Sequence, residues 1–298
     1  MELLHAHADE GSLLFEEIFL HGLLDTLKII PFLFLTYLLM EFIEHRAGEK
    51  AESFMKRAGR FAPALGGALG IIPQCGFSAA AANLYAGRVV SVGTLVAVFL
   101  STSDEMLPIM ISGRISGGRI ALILLYKAVA AILAGFAVDL TLRLLRRESE
   151  PINIDAICDE DNCHCERGIW YSALHHTATI SLFILLITWV LNLLIHFVGE
   201  DALASVMYNR PFVSHLIAAV LGLIPNCAVS VALTKLCTGG LITVGTMLSG
   251  LFSGAGVGIL VLFRVNKRPK ENFAIIGVIL LCAVAFGLVG ELIFPSII

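Results

Sequence analysis

The sequence predicts an all-α polytopic membrane protein made of two inverted repeats, each with three full spans and one re-entrant or broken-helix hairpin. Three observations lead there. Hydrophobic residues make up 57% of the chain and charged residues 15%, with a mean hydropathy of +0.87, whereas an ordinary soluble domain is about half apolar and a quarter charged. The apolar residues form blocks rather than amphipathic stripes, approximately 23–43, 63–86, 89–112, 120–142, 170–198, 211–237, 241–263 and 273–298. Blocks of that kind reach the roughly 20 residues that a span requires. Finally, the chain repeats itself.

Shifted by 152 residues, Leu69–Ser101 lies over Leu221–Ser253 without a gap, and 13 of the 33 positions are identical. Shared apolar character accounts for matched Leu, Ile, Val and Ala. It does not account for Pro73/Pro225, Cys75/Cys227, Ser78/Ser230, Thr94/Thr246 and three glycine pairs in one register. A weaker match, shifted by 151, pairs Asp25-Thr26 with His176-Thr177 and His45 with His196. The expected organisation is a first transmembrane repeat at 1–145, a cytoplasmic linker at 146–169 and a second, inverted repeat at 170–298.

Charge sets the orientation. If the Pro73 and Pro225 segments dip in and return, each repeat crosses three times, and an odd count inverts the second. With the N-terminus outside, fourteen Lys and Arg fall inside, from Arg46 to Lys270, and four outside: Arg114, Arg119, Arg210 and Lys235. This obeys the positive-inside rule, and spanning Pro segments would place Arg143, Arg146 and Arg147 outside. Gly66 to Gly76 is also a poor helix interior, since Gly and Pro break the ladder and freed backbone groups must find protein or water partners. Interrupted segments at matching positions mark the midplane site of secondary transporters; proline-kinked spans packed through small residues are the other reading. The acidic N-terminus, with no Lys or Arg before Lys28, argues against a cleaved signal peptide. A bacterial-type inner membrane is the expected location, and the net charge of −4 says little about partners.

Polar groups inside the apolar blocks are the candidate substrate pathway. Ser101, Ser103, Asp104 and Glu105 precede Pro108, which loosens the helix at Asp104. A carboxylate at that depth costs at least ~2.5 kcal/mol and by default marks function, so a cation or a proton should neutralise the pair; a pair snorkelled near the outer interface is the plainer alternative. The second repeat keeps Ser253 and replaces the acids with Gly256 and Val257. Gln74, Cys75, Asn226 and Cys227 form the hairpin tips. Asp104, Glu105, Cys75 and Cys227 are the candidate metal positions. The two thiols suit a soft ion or serve as small apolar fillers.

Asp104, Glu105 and Glu41 are the candidates for proton coupling. Asp25, Lys28, Lys127, Asp139, Glu44, His45, His175, His176 and His196 lie in spans or at their ends, where structural pairing is the first expectation. Lys127 could neutralise an acid across the bundle. In the linker, Cys158, Cys163, His164 and Cys165 match a Cys₃His ligand set in number, though not in the spacing of a common zinc finger; unused thiols in a reduced loop are the alternative. His5, His7, Asp9 and Glu10 form a nonspecific metal-attracting patch outside. No cysteine lies in an outside connection, so no disulfide framework is expected.

The paired Ile-Pro-Gln-Cys-Gly-Phe-Ser (72–78) and Ile-Pro-Asn-Cys-Ala-Val-Ser (224–230), the Ser-Thr-Ser-Asp-Glu-Met-Leu-Pro segment (101–108) and the early Asp-Thr-Leu-Lys (25–28) resemble a ten-helix heavy-metal exporter family. That family is grouped with arsenic-efflux permeases and is often labelled as manganese transporters. The resemblance covers nearly the whole chain except the linker and the extreme N-terminus, and implies efflux of a metal or metalloid. Ten helices would follow if each hairpin counts as two.

The expected function is therefore a non-enzymatic secondary transporter exporting Mn²⁺ or an arsenic-type substrate, driven by protons. No Walker motif provides for ATP, no cofactor is needed, and nucleic acid is not an expected partner. The partners are lipid, the ion and protons, and assembly as a homo-oligomer is compatible with all of this. An intramembrane phosphatase of the undecaprenyl-pyrophosphate type shares the predicted architecture, but it needs a cation near its hairpins. Gln74–Ala79 and Asn226–Val231 contain no Arg or Lys.

The linker cluster lies outside both repeats and has no symmetry partner. Replacing Cys158, Cys163 and Cys165 with Ser should leave export at saturating metal within about twofold of wild type, because structural and pathway ligands are separable. Loss of export from cells that still express the protein would place the cluster in the pathway.

Overall fold

The computed structural model describes residues 20, 23–24, 26–27, 30–31, 33–35, 37–38, 61–71, 76–102, 106–145, 169–198 and 211–294. Every regular element among them is helical. In chain order they are α1 (Ala62–Leu69), α2 (Gly76–Ala86), α3 (Val92–Ser101), α4 (Met106–Ser112), α5 (Gly117–Leu144), α6 (Ile169–Val198), α7 (Pro211–Gly222), α8 (Cys227–Thr238), α9 (Val244–Ser253), α10 (Val257–Val265) and α11 (Pro269–Ile293). The described positions between Leu20 and Leu38 are helical as well. Phe34 there packs on Trp170 of α6, ring centroids 6.0 Å apart.

Four segments are long and apolar enough to cross a membrane: Val92–Ser112, Gly117–Leu144, Val244–Val265 and Pro269–Ile293. The 28 residues of α5 span about 42 Å at 1.5 Å per residue. Its exposed side carries Leu122, Leu125, Val129, Leu133, Phe136 and Leu140, while Ile123, Ala130, Ala131 and Ala134 are buried. A helix apolar on both its inner and outer faces is one solvated by lipid. The chain is a multi-pass membrane protein.

Neither the block at 211–237, expected to be interrupted at Pro225, nor the block at 241–263, expected as a full span, is a continuous helix. The first is divided at Leu223–Asn226 and the second at Gly254–Gly256. Pro225 accounts for the first break, since it has no N–H to donate. Gly256 accounts for the second, with φ 54° and ψ −138°, a conformation that L side chains avoid.

Close glycine contacts give the direction of the helices. Gly66 lies against Val98 and Thr94, and Gly70 against Ser101, so α1 runs with α3. Gly93 meets Gly135 and Asp139 while Gly67 meets Ile132, so α5 runs against both. Among the later helices, Gly222 meets Gly250 and Ser253, so α7 runs with α9. Gly250 meets Leu233 and Gly254 lies near Ser230, so α8 runs against α9. The α7–α8 pair is thus a helical hairpin turning at the Pro225 segment. Gly245 meets Gly287 and Glu291, which sets α11 against α9.

The two sets match in detail. Helices α3 and α9 begin and end 152 residues apart, at Val92/Val244 and Ser101/Ser253. Each has a hydroxyl N-cap: Ser91 Oγ accepts from Thr94 N at 3.1 Å and Thr243 Oγ1 from Thr246 N at 3.1 Å. The corner before each is also the same. Val89 N donates to Leu84 O at 2.8 Å and Leu241 N to Leu236 O at 2.9 Å, closing a left-handed cap. The left-handed residues are Arg88 (φ 57°) and Gly240 (φ 73°). The weakly matched Thr26 and Thr177 are both buried.

Contacts between the sets are reciprocal. Helix α2 packs on α10, α8 packs on α4, and α3 meets both α9 and α11. Arg88, before α3, pairs with Glu271 at the start of α11 at 2.9 Å. Helices α3 and α11 therefore start at the same end of the bundle, and α9, which runs against α11, starts at the other. Gly113, after α4, lies near Thr238 at the end of α8.

Gly93→Val places its side chain against the Gly135 carbonyl and the Asp139 carboxyl, whereas a Cβ at Gly118 meets nothing within 4 Å. Gly93→Val should therefore lower the unfolding midpoint of the purified protein, costing about 1–3 kcal/mol, and Gly118→Val should not. Equal midpoints for the two variants would contradict the packing described.

Candidate functional site

The site is built where helices stop. Helix α3 ends at Ser101 with Thr102 turned to extended backbone (φ −55°, ψ 131°). Ser101 Oγ donates to Val98 O at 3.0 Å and Thr102 Oγ1 to the same carbonyl at 2.8 Å. Ser253 Oγ, at the end of α9, donates to Gly250 O at 2.9 Å. A hydroxyl whose proton is held by its own helix faces outward only as an acceptor, which suits a cation.

Two glycines bring α1 and α7 to these ends. A side chain at Gly70 would strike Ser101 Oγ, and one at Gly222 would strike Ser253 Oγ. Ser78 and Ser230, paired by the repeat, sit on α2 and α8: Ser78 lies against Gly258 of α10, and Ser230 faces Gly254, 3.6 Å from the position a Cβ would take. Asn226 is buried just before α8, its backbone N–H donating to Ile224 O at 2.7 Å.

Lys127 completes the centre. It lies ten residues into α5, 1% exposed. Its ammonium donates to the Thr102 carbonyl and lies 5.8 Å from the centroid of Phe252, which belongs to α9. Tyr126 beside it donates to Phe286 O at 2.5 Å and meets Phe252 edge-on, centroids 6.1 Å apart. The ends of α3 and α9 thus converge mid-bundle around a buried cation.

Ser101, Asn226 and Ser253 are the predicted site residues with described side chains, and all three are buried. Cys227 opens α8; its side chain is not described. Glu41, Gln74, Cys75, Ser103, Asp104, Glu105, Cys158, Cys163, His164 and Cys165 lie outside the described residues. So do Asp25, Lys28, Glu44, His45 and the N-terminal His5, His7, Asp9 and Glu10. His176 and His196 belong to α6, but their side chains are not described. His175 is exposed, stacked on Tyr171 with centroids 6.4 Å apart. Among the described residues no group of three or more His, Cys, Asp or Glu gathers to hold a metal.

Asp139 fastens the start of α3, its carboxylate accepting from Ser91 Oγ at 2.7 Å and from Gly93 N at 2.8 Å. Its counterpart Glu291 pairs with buried His215 at 2.8 Å.

Several polar residues gain a role only in the folded chain. Tyr37 donates to buried Asn83 at 3.0 Å. At one end of the bundle, Arg88 lies over the Tyr85 ring at 5.0 Å, and Glu271 accepts from Asn266 at 3.2 Å as well as from Arg88. Burial opposes the Arg88 charge, but the Glu271 hydrogen bond and carboxylate outweigh it and hold its pKa above the ordinary arginine value. A polar residue within an apolar block is the signal that the sequence offers for Asn83 and His215.

A family model described as "Putative, 10TM heavy-metal exporter" matches residues 15–198. No curated protein and no solved structure matches the chain.

Proposed function

This chain belongs to the 10TM heavy-metal exporter family, and we propose that it is a proton-coupled secondary transporter that exports a divalent heavy-metal ion of the Mn²⁺ type through the mid-bundle junction of α3 and α9. The observation that carries this reading is that junction itself. Two spans, Val92–Ser112 and Val244–Val265, are divided in their middles, and their inner ends bear hydroxyl acceptors around a buried cation. Broken helices at matching positions of two halves form the binding sites of secondary transporters.

In this reading the two halves are inverted repeats. The support is that α3 starts at the end of the bundle where α11 starts, while α9 starts at the opposite end. The α7–α8 pair, and α1–α2 by the same register, are the re-entrant hairpins. Asp104 and Glu105 supply the charge of the site and the coupling proton, flanked by Ser101, Ser103, Ser253 and the tips at Gln74, Cys75, Asn226 and Cys227. Support for the acids comes from the chain, since they follow Thr102 by two and three residues and Thr102 lies at the junction. Two adjacent carboxylates do not both ionise readily, so one proton stays until a metal ion displaces it. Hard oxygen donors favour Mn²⁺ over arsenite.

Asp104→Asn with Glu105→Gln should reduce Mn²⁺ uptake into inside-out proteoliposomes to the protein-free background and leave the unfolding midpoint unchanged or raised, because a desolvation cost is removed. Wild-type uptake by the double variant would sink the assignment and make Cys75 and Cys227 the leading positions.

The orientation is checked separately. Asn266 is buried, so a cysteine at the exposed Lys267, with another at Ser149, is the probe pair. Both should resist an impermeant thiol reagent applied from the periplasmic side. Labelling of both from that side would reverse the proposed topology.

A further inference from the structure

We propose that the break between α9 and α10 is a binding site for an alkali cation, made of the last carbonyls of α9 and the Ser230 hydroxyl of α8. The proposal goes beyond the export reading and uses neither Asp104 nor Glu105. Three observations carry it.

The first is the set of oxygens. Around the position that a Cβ on Gly254 would take, the three nearest atoms are Gly250 O at 3.3 Å, Ser230 Oγ at 3.6 Å and Leu251 O at 3.7 Å. The carbonyls belong to the last turn of α9, and the hydroxyl reaches the break from α8. Leu251, Phe252 and Ser253 are buried, whereas Ser230, Gly254 and Gly256 are half-buried, so the break is open on one side.

The second is the backbone. In a continuous helix Ala255 N would donate to Leu251 O. Here it turns to Ser253 O at 2.9 Å, and Gly256, at φ 54° and ψ −138°, takes the chain out of helical register before α10 begins. The Leu251 carbonyl thereby loses its helical donor at a depth where freed backbone groups need a partner other than lipid. Carbonyls at the inner ends of broken helices coordinate Na⁺ in secondary transporters, and the dipole of α9 adds partial negative charge there. Neutral carbonyl oxygens replace the hydration shell of an alkali ion, whereas affinity for a divalent ion rises with the charge of its ligands.

The third is the other half. The 152-residue register pairs Gly254 with Thr102 and Gly250 with Val98. Three donors converge on Val98 O: Ser101 Oγ at 3.0 Å, Thr102 Oγ1 at 2.8 Å and Thr102 N at 3.1 Å. Gly250 O receives Ser253 Oγ at 2.9 Å, and Gly254 has no side chain to add. Its backbone, at φ −74° and ψ 69°, lies outside the left-handed region, so the turn itself does not demand glycine. The first half closes its helix end with its own hydroxyl, and the second leaves its carbonyls to a cation.

The experiment is thermal unfolding of the full-length protein in phosphatidylethanolamine–phosphatidylglycerol nanodiscs at constant ionic strength, with NaCl or KCl replacing N-methylglucamine chloride. An ion that binds only the folded protein raises the midpoint as its concentration rises. At least one of the two salts should raise the wild-type midpoint. Ser230→Ala should need about tenfold more of that salt for the same rise. Gly254→Thr supplies the hydroxyl that the first half carries, and its Cβ meets nothing nearer than 3.3 Å; it should fold and show no rise. No rise in the wild type with either salt would mean that water caps the carbonyls, and would overturn the proposal. A rise kept in full by Gly254→Thr would overturn it as well. Should Gly254→Thr fail to fold, Ser230→Ala decides, and an unchanged salt requirement sinks the site. Asp104→Asn with Glu105→Gln should keep the alkali response whether or not it takes up Mn²⁺, so this site and the export reading fail separately. Loss of the response in that variant would place the ion at the acids and overturn the assignment to α9.

Discussion

A helix that stops in the middle of an apolar bundle leaves its last carbonyls without intrahelical partners, and in lipid no water is at hand to take them. Among the described residues α1, α3, α7 and α9 all stop short of a full span, and the rest of the architecture answers to that constraint. Gly70 N–H turns back to the Gly66 carbonyl, while Ser101, Thr102 and Ser253 direct their hydroxyls at carbonyls one turn earlier. Lys127 takes the Thr102 carbonyl from across the bundle. Stopping the helices is costly unless those partners are in place, and putting them in place brings polar groups of both sets to one level.

Close approach is the second requirement, and glycine meets it. Gly93 with Gly135 and Gly245 with Gly287 let α3 and α9 lie backbone to backbone on the long helices α5 and α11. Lipid is as apolar as leucine, so association in the bilayer depends on packing of this kind rather than on burial from water. The long helices then give the short ones a fixed frame. Asp139 fastens one short helix by its N-terminus and Glu291, through His215, anchors the other set differently. The two sets thus share a scaffold and differ in their charges. At the Arg88 end an ion pair joins them, with the arginine in a left-handed conformation that glycine occupies at 240. A non-glycine residue there costs about 1–2 kcal/mol, which the partners of Arg88 offset.

Legibility follows the range of the interaction. The break at Pro225 can be read in the chain because it is a local backbone property of proline, whereas the break at Gly256 falls within a block that reads as a full span. Ser101 and Ser253 stand out through the repeat, and the structure buries both at helix ends. Arg88 counts in the sequence only as an inward positive charge, because its partner Glu271 is 183 residues away. Asn83, Tyr37 and His215 register along the chain only as polar residues in apolar blocks, for the same reason: the role of each shows only when its distant partner is known. Lys127 is visible in the sequence as a cation within a span, yet nothing in its neighbourhood along the chain points to the end of α3.

Hydropathy, helix breaking and internal similarity are properties of residues and their order. The solvent, the helical class and the spacing of the repeated elements are therefore written along the chain. Packing alone settles which helices run together, how the glycine faces pair, and that Thr102, Lys127 and Phe252 meet at one level. Those contacts join residues 25 and 125 positions apart. The chain brings them together only once its apolar blocks have packed, because their order along the sequence carries no record of which faces will meet.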